Sequence, residues 1–445
     1  MARYLKSLLA GKGTPRSQAQ PAKLSPAALA SKLTARLTKA HGTALNADRL
    51  VILRLGLGRD SMTMLGLLGA HQLVVEGQER GPDEIDAVVF SDPGGEWEFT
   101  YDLIPRVRAF CREHGLRFLV QNKPPAEGPG GWIAWKRHQK TIADALAVQG
   151  KTPHGSSYGK PPWRKHRPAT IGERAASGYY HARIPLFEDY DRKSAWMIRK
   201  NPSCTILHKV EPNREMLQDL AQERFGAWAT HKAWSAAVDA GERRPHLMLL
   251  GLAADEPARL EKGKEESAKR MAKEGESYEA EAYPLEEMGI GKGDEQRFLD
   301  ALPGVDPGGR LRKGGFSDVK KSGCRFCKYQ DKQQFWMLRE LDPEFFERVV
   351  DLERRNLART GPWMAIFPRS LSLQVRGKPS ALLQAERRKG HAITPDPEDP
   401  GKVWVHTPLD VLVQEWEDDY VAKHGRRPDW EEVAKKEYRG CRIET

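Results

Sequence analysis

The chain has 445 residues, of which 72 are Lys or Arg and 61 are Asp or Glu, so its formal net charge is +11. This length is enough for two or three domains with ordinary hydrophobic cores, and the positive charge favours anionic partners such as nucleotides, RNA or DNA. Five cysteines argue against a secreted disulfide scaffold, and no apolar stretch is long enough to span a bilayer. We therefore expect a cytoplasmic protein that has no membrane partner.

Residues 1–48 form a basic N-terminal extension in which Asp48 is the only carboxylate. The stretch SPAALASKLTARLTKAHG predicts a basic helix that Ser25 caps and Gly42 ends. Two interpretations stay open: the extension contacts a nucleic-acid backbone or a partner protein, or it is a solvated appendage.

From residue 49 onward, strand-like and helix-like patterns alternate. The strand-like runs are RLVILRL, EIDAVVFSD, LRFLVQNK and RPHLMLLGLAADE, and the helix-like runs include residues 61–77, 98–115 and 214–241. Such alternation predicts an α/β fold with a doubly wound parallel sheet. We assign this α/β domain to residues 49–260.

Two further regions follow from composition and pattern. Residues 124–191 are basic and rich in turn residues, and we interpret them as an insertion that serves as a lid or substrate loop, without regular structure over most of its length. Residues 261–445 begin with a highly charged connection and are mostly helical. This C-terminal region carries a Cys-x-x-Cys sequence.

A polar loop, residues 56–61 (GLGRDS), separates the first strand from the first helix. Ligands of open parallel sheets lie beyond the carboxyl ends of the strands, and a helix N-terminus there suits phosphate. Gly56 and Gly58 let the backbone approach a ligand closely, while Arg59 adds charge and Ser61 a hydroxyl donor. Asp60 caps the helix or holds Mg²⁺; the alternative is an ordinary turn with an Asp cap.

A second polar loop follows the next strand, in VVFSDPGGEWEFTY. Asp92, Gly94 and Glu96 are expected beside the first loop, because parallel strands end at the same edge of the sheet. Carboxylates there accept hydrogen bonds from ribose hydroxyls or an adenine amine, or help to hold Mg²⁺.

The cysteines indicate metal or redox chemistry. Cys324 and Cys327 have the spacing of two ligands to one metal or cluster, or of a redox pair. With Cys204 and Cys441 the number of possible thiolate ligands is four. Three alternatives stay open for these four cysteines: an iron–sulfur cluster, a structural zinc ion or no metal. Cys111 lies in an apolar helix pattern, and we assign it to the core.

Four motifs carry a resemblance to a known family. Residues 56–61 resemble a degenerate Ser-Gly-Gly-x-Asp-Ser loop of the PP-loop ATP pyrophosphatases, with Leu57 in place of a glycine. VVFSDPGGEWEFTY, SCTILHKVEPNREML and KSGCRFCKYQ resemble, in order, the Asp-Thr-Gly-x-Glu, Cys-Cys-x-x-Arg-Lys and Gly-Cys-x-x-Cys segments of phosphoadenosine phosphosulfate (PAPS) reductases. The likeness covers roughly residues 49–340 and includes PAPS reductase-like proteins of phage genomes.

The resemblance implies an adenine nucleotide alpha-hydrolase fold that binds ATP or a sulfonucleotide (APS or PAPS) and acts at its phosphate, in sulfur transfer. The residues implied to bind the nucleotide are Gly56, Gly58, Arg59, Asp60, Ser61, Asp92, Gly94 and Glu96, with Asp60 and Asp92 positioning Mg²⁺ or the nucleoside. The implied catalytic residues are Asp60, Ser61 and Lys209, of which Lys209 contacts sulfate or phosphate. The implied ligands of an iron–sulfur cluster (4Fe-4S), or less readily of zinc, are Cys204, Cys324, Cys327 and Cys441.

Two alternative functions stay open. One is ATP-dependent thiolation of tRNA or DNA, for which Trp132 and Trp135, beside Lys136 and Arg137, would stack on bases rather than pack within a loop. The other is a non-catalytic phage protein that binds nucleotide or nucleic acid. Asp255-Glu256 either line the same cleft or cap the next helix.

Overall fold

The computed structural model describes residues 45–122, 131–151, 179–180, 184–193, 203–273, 275–320, 322–327, 330–360, 369–372, 374–375, 378–389, 391–395 and 401–435. The helix expected over residues 25–42 and the expected ligand Cys441 lie outside these residues. None of the helices in the described ranges combines the length and the apolar character that crossing a membrane requires.

The strands, in chain order, are β1 (Val51–Leu55), β2 (Leu73–Val75), β3 (Gln78–Arg80), β4 (Ala87–Ser91), β5 (Phe118–Asn122), β6 (Tyr179–Tyr180), β7 (His246–Leu250), β8 (Glu279–Ala282), β9 (Pro303–Val305), β10 (Leu311–Lys313), β11 (Arg369–Ser372), β12 (Gln374–Val375), β13 (Lys378–Pro379), β14 (Ala392–Pro395) and β15 (Lys402–His406).

The helices of eight or more residues are α1 (Arg59–Gly69), α2 (Leu103–Glu113), α3 (Trp132–Val148), α4 (Leu186–Lys193), α5 (Glu211–Phe225), α6 (His231–Asp239), α7 (Pro257–Ala272), α8 (Lys292–Ala301), α9 (Lys332–Leu341), α10 (Pro343–Thr360), α11 (Ala381–Arg388) and α12 (Leu409–His424), and α13 (Trp430–Lys435) is shorter. Shorter helical turns span Pro82–Glu84, Glu98–Tyr101, Ser203–Thr205, Ile206–Val210 and Pro284–Glu287.

The central sheet has six strands in the order β6-β5-β4-β1-β7-β8, and every neighbouring pair is parallel. The chain runs outward from β1 through β4 and β5 to β6, and then returns to the other side of β1 for β7 and β8. This is the winding of a doubly wound α/β fold, so the predicted parallel sheet is confirmed.

Both faces of the sheet are buried, which explains the nearly continuous apolar run of β1. Val51, Leu53 and Leu55 belong to one core cluster with α1 and α2. Ile52 points to the opposite cluster, which includes residues of α5 and α6. Parallel strands covered on both faces lose the alternation of polar and apolar residues that marks a half-exposed strand.

The helix-like pattern over residues 61–77 holds only as far as Gly69, where α1 ends. The rest forms a β2–β3 hairpin whose turn places Glu76 at φ 54° and Gly77 at φ 75°. Two consecutive positive φ angles are typical of the two-residue hairpin turn, and the glycine adopts one of them without steric cost. The turn therefore overrides the helix-like spacing of the apolar residues.

The sheet also extends past the domain boundary expected near residue 260. Residues 256–282, interpreted as a charged connection, contain α7 and the sheet strand β8. The sequence did not indicate strand β8, because Glu279 and Glu281 alternate there with two alanines and the strand has no apolar run. The C-terminal region is helical around α9, α10 and α12, but it also contains a three-stranded antiparallel sheet of β11, β15 and β14.

The insertion expected to lack regular structure contains α3, a helix of 17 residues. None of its residues is fully buried. Lys136 lies over the ring of Trp132 at 4.9 Å and pairs with Glu188 at 3.5 Å. The remaining residues between 152 and 178 lie outside the described chain.

We predict that His246 makes the fold sensitive to acid. Its Nδ1 accepts a hydrogen bond from Leu50 N at 3.1 Å, its ring stacks on Trp234, and burial lowers its pKa to about 3 from 6.5. Below pH 6.5 the unfolded chain binds a proton at this ring and the folded chain does not. Stability is therefore complete above pH 6.5 and falls as the pH drops, by up to about 1.4 kcal/mol per pH unit.

Urea unfolding at several pH values between 7.5 and 4.5 measures this contribution. His246→Asn retains a hydrogen-bond acceptor for Leu50 N but has no group that titrates in this range. We expect the variant to be less stable at pH 7.5 and to lose less stability on acidification than the wild type. Equal losses in the two proteins would show that His246 is not the acid-sensitive group.

Candidate functional site

The candidate site lies at the carboxyl edge of the sheet, between β1 and β7. The connections after these two strands lead away in opposite directions, which makes this point the topological switch of the sheet. The loops that follow them are in close contact: a Cβ on Gly251 would lie 2.9 Å from Ser61 N and 3.1 Å from the Asp60 carbonyl carbon. The expected phosphate loop therefore lies where open α/β sheets bind ligands.

The loop after β1 is held by its own hydrogen bonds. The Ser61 hydroxyl accepts from Gly56 N at 3.2 Å and donates to Gly58 O at 3.0 Å. Leu57, fully buried, adopts the left-handed φ of 58° that favours glycine. Gly58 occupies the N-cap position of α1, and no side chain caps the helix there. The predicted Asp60 cap is therefore absent, and Asp60 lies in the first turn.

The segment that leads to Cys324 passes directly over this loop. A Cβ on Gly58 would lie 2.6 Å from Ser322 Oγ and 3.0 Å from Ser322 N, so only glycine fits beneath it. Arg59 Nε donates to Val319 O at 3.3 Å. These contacts bring two motifs that are more than 260 residues apart in the chain to one place.

The loop after β4 is the second component of the site. Asp92 accepts hydrogen bonds from Gly94 N at 2.6 Å and from the Tyr101 hydroxyl at 2.9 Å. Both the Asp92 carboxylate and burial raise the pKa of Tyr101, so its phenol stays protonated as a donor. The Asp92 carboxylate thus takes part in shaping this loop.

Glu96 connects the predicted nucleotide loop with the predicted thiols. Its buried carboxylate accepts from Gly323 N at 2.8 Å and from Lys209 Nζ at 3.4 Å, and the Cys324 thiol lies 3.9 Å away. Burial raises the pKa of Glu96, while Lys209 and the Gly323 amide favour its charged form. The backbones of Glu96 and Cys324 also form an antiparallel bridge.

A π-helical turn, Ile206–Val210, positions Lys209. It joins the short helix Ser203–Thr205, which carries Cys204, to α5. Wide turns of this kind are frequent at functional sites because they rotate one side chain out of the regular helical register. Here the turn brings Lys209 to Glu96, and His208 is buried.

Three of the expected cysteine ligands lie in one region. Cys324 and Cys327 belong to a hydrophobic cluster that also contains Tyr190, and Cys204 packs against it. Burial raises the pKa of Tyr190, with further contributions from Cys204 and Cys324. Within the described residues, no three His, Cys, Asp or Glu side chains are arranged to hold a metal ion.

Cys111, assigned to the core from its pattern, is confirmed there. Its side chain is buried on α2, and burial raises the pKa of its thiol to about 12. A thiol protonated over the whole physiological range is a packing group.

No local pattern indicates Glu295, which lies on α8 and is 3% exposed. Burial, and then Asp60, raise the pKa of its carboxyl group. Asp255 and Glu256 do not cap the next helix, because α7 has Glu256 at its N-cap position without a side-chain cap hydrogen bond. Both residues contact the start of α8 instead. Asp255 accepts from Lys292 N at the start of α8, at 3.1 Å, and Glu256 pairs with the Lys292 side chain at 2.7 Å.

Comparison with protein-family models found no match, and neither curated proteins nor solved structures gave one.

We predict that the loops after β1 and β7 lie too close together to admit a side chain at residue 251. In Gly251→Ala the new methyl group would lie 2.9 Å from backbone atoms of Ser61, which cannot move independently. Overpacking of this kind costs typically 1–3 kcal/mol, and we expect a loss of that order in urea unfolding. The control is Gly293→Ala, where a Cβ meets no atom within 4 Å. Equal stabilities of both variants would contradict the contact.

Proposed function

We propose that the chain binds an adenine nucleotide, ATP or a sulfonucleotide, at the switch point and acts at its phosphate in sulfur transfer. This is the activity that the resemblance to PAPS reductases implies. One observation carries the proposal: the glycine loop after β1 lies directly beneath the segment that bears Cys324. The backbone proposed to bind phosphate, at Gly58, and the segment with the Cys324 thiol are thereby held at one edge of the sheet.

The phosphate part of the proposal depends on the start of α1. The first N–H groups of a helix have no intrahelical acceptor and, with the helix dipole, favour an anion. Gly58 as N-cap leaves the helix end uncovered by a capping side chain, and Arg59 adds positive charge beside it. Leu57 stands where the resembling loops have a glycine, but its backbone has the left-handed conformation that glycine favours. The loop therefore keeps the backbone shape that phosphate binding needs.

The sulfur part depends on the group around Glu96. Lys209 offers an ammonium group to a sulfate or phosphate, and its contact with the Glu96 carboxylate holds the flexible side chain in place. The Cys324 thiol lies 3.9 Å from the same carboxylate oxygen, Oε1, that Lys209 contacts. An iron–sulfur cluster or zinc, for which Cys204, Cys324, Cys327 and Cys441 would be the ligands, is part of the proposal.

The first alternative, ATP-dependent thiolation of tRNA or DNA, has one observation in its favour. The α3 helix of the insertion buries none of its residues, and Arg137 and Lys140 are exposed on it. Exposed cations beside half-buried tryptophans suit a nucleic-acid strand. Binding of RNA or DNA that weakens steeply with salt would favour this alternative over a sulfonucleotide reductase.

Calorimetric titration with ATP, APS and PAPS tests the proposal. We expect at least one of them to bind, and Ser61→Ala to weaken its binding roughly tenfold, because the Ser61 hydroxyl holds Gly56 and Gly58 in the loop through two hydrogen bonds, each worth about 0.5–1.5 kcal/mol. Lys209→Met should lower turnover of the bound nucleotide.

The control is Ser235→Ala, which removes a buried hydroxyl on α6 that forms no hydrogen bond within the described chain. It should bind nucleotide as the wild type does. No binding of any of the three nucleotides, or an unchanged affinity in Ser61→Ala, would refute the proposed phosphate site.

A further inference from the structure

We propose that Lys320 is a positioning residue of the nucleotide site, and that an aromatic clamp, the rings of Phe99 and Trp430 on its ammonium group, holds a covering segment against the phosphate loop. The covering segment consists of Val319, Lys320, Ser322 and Gly323. That it covers a nucleotide rests on the proposed function; the clamp itself does not.

The covering segment contacts both polar loops of the candidate site. Val319 O accepts from Arg59 Nε at 3.3 Å, beside the loop after β1. Gly323 N donates to the Glu96 carboxylate at 2.8 Å, in the loop after β4. Lys320 lies between these two hydrogen-bonded residues in the chain, so a contact that fixes its side chain restricts the segment where it passes over the phosphate loop.

The Lys320 ammonium group lies between two aromatic rings. Its Nζ is 4.2 Å from the centroid of the Trp430 ring and 5.3 Å from that of the Phe99 ring. Both distances are within the roughly 6 Å over which the face of an aromatic ring attracts a cation. A lysine side chain loses many rotamers when it is held, and the attraction of two rings offsets this loss of entropy.

The Phe99 side of the clamp is anchored in the loop after β4. Phe99 lies in the short helix Glu98–Tyr101. Its ring stacks on Trp97, with 5.8 Å between the centroids and 9° between the ring planes. Trp97 is buried and belongs to the same hydrophobic cluster as Cys324. Phe99 is therefore a fixed partner for the ammonium group.

The Trp430 side of the clamp comes from a distant part of the chain. Trp430 begins α13, which packs against α9, and its side chain packs against the hydrophobic cluster that contains Cys324 and Cys327. A helix of six residues is not stable by itself, so tertiary packing fixes the place of α13. The contact with Lys320 thus ties α13 to the covering segment.

Two roles of Lys320 have different consequences. If the ammonium group bound the phosphate directly, removing a ring would leave binding intact, because the cation would remain. If Lys320 acts through the covering segment, removing a ring weakens binding as removing the cation does. The geometry favours the second role, since the rings engage the ammonium group while Val319 and Gly323 contact the two loops.

Calorimetric titration of full-chain variants with ATP, APS and PAPS tests this role. We expect Lys320→Gln and Trp430→Leu each to weaken nucleotide binding roughly fivefold, and the double variant to lose no more than either single one, because both changes open the same clamp. Lys320→Arg should bind as the wild type does, because a guanidinium group is also attracted to aromatic faces.

The matched control is Trp416→Leu. Trp416 packs against the same hydrophobic cluster, where its ring contacts Trp336, and it is not part of the clamp. This variant should keep the nucleotide affinity of the wild type. An unchanged affinity in Trp430→Leu, or losses that multiply in the double variant, overturns the role of Lys320.

Hydrogen–deuterium exchange without nucleotide tests the clamp separately. Backbone amides in residues 322–327 should exchange faster in Lys320→Gln and Trp430→Leu than in the wild type and in Trp416→Leu. Unchanged exchange there overturns the clamp. If exchange rises as expected but none of the three nucleotides binds, the clamp stands and the proposed function fails. If a nucleotide binds and neither exchange nor affinity changes, the clamp fails and the proposed function stands.

Discussion

The buried Glu96 carboxylate is the interaction on which the candidate site depends. A carboxylate that is 2% exposed needs partners, and those of Glu96 come from two separate parts of the chain: the backbone of Gly323 with the adjacent thiol of Cys324, and the side chain of Lys209. Removing the Lys209 ammonium would leave this buried carboxylate without a cationic partner among the described residues. This constraint holds the segment with the two cysteines against the loop after β4, and thereby also over the loop after β1.

The topology of the sheet explains why the site lies at this edge. Because β1 is central and the chain returns to its other side only at β7, the connections after these strands lead away in opposite directions. Gly58 permits the close approach of Ser322, and Gly251 permits the close approach of Asp60 and Ser61. The start of α1 and the segment that leads to Cys324 therefore lie together at this edge of the sheet.

Local patterns sufficed to predict the parallel sheet and the two polar loops, because apolar runs and glycine turns reflect short-range constraints. They could not predict β8, whose glutamates alternate with alanine, nor α3, which lies in a segment rich in turn residues. The link from Glu96 to Gly323 joins residues 227 positions apart and has no local signal. The burial of Glu295 has no local signal either, because its own helix is rich in charged residues.

We propose that one nucleotide contacts both the loop after β1 and the segment before Cys324. Hydrogen–deuterium exchange of the full chain, with and without the nucleotide that binds, measures this directly. We predict slower exchange of the backbone amides in residues 56–62 and also in residues 322–327, with little change around β11 and β15. Unchanged exchange at residues 56–62 in the presence of a bound nucleotide would contradict the account.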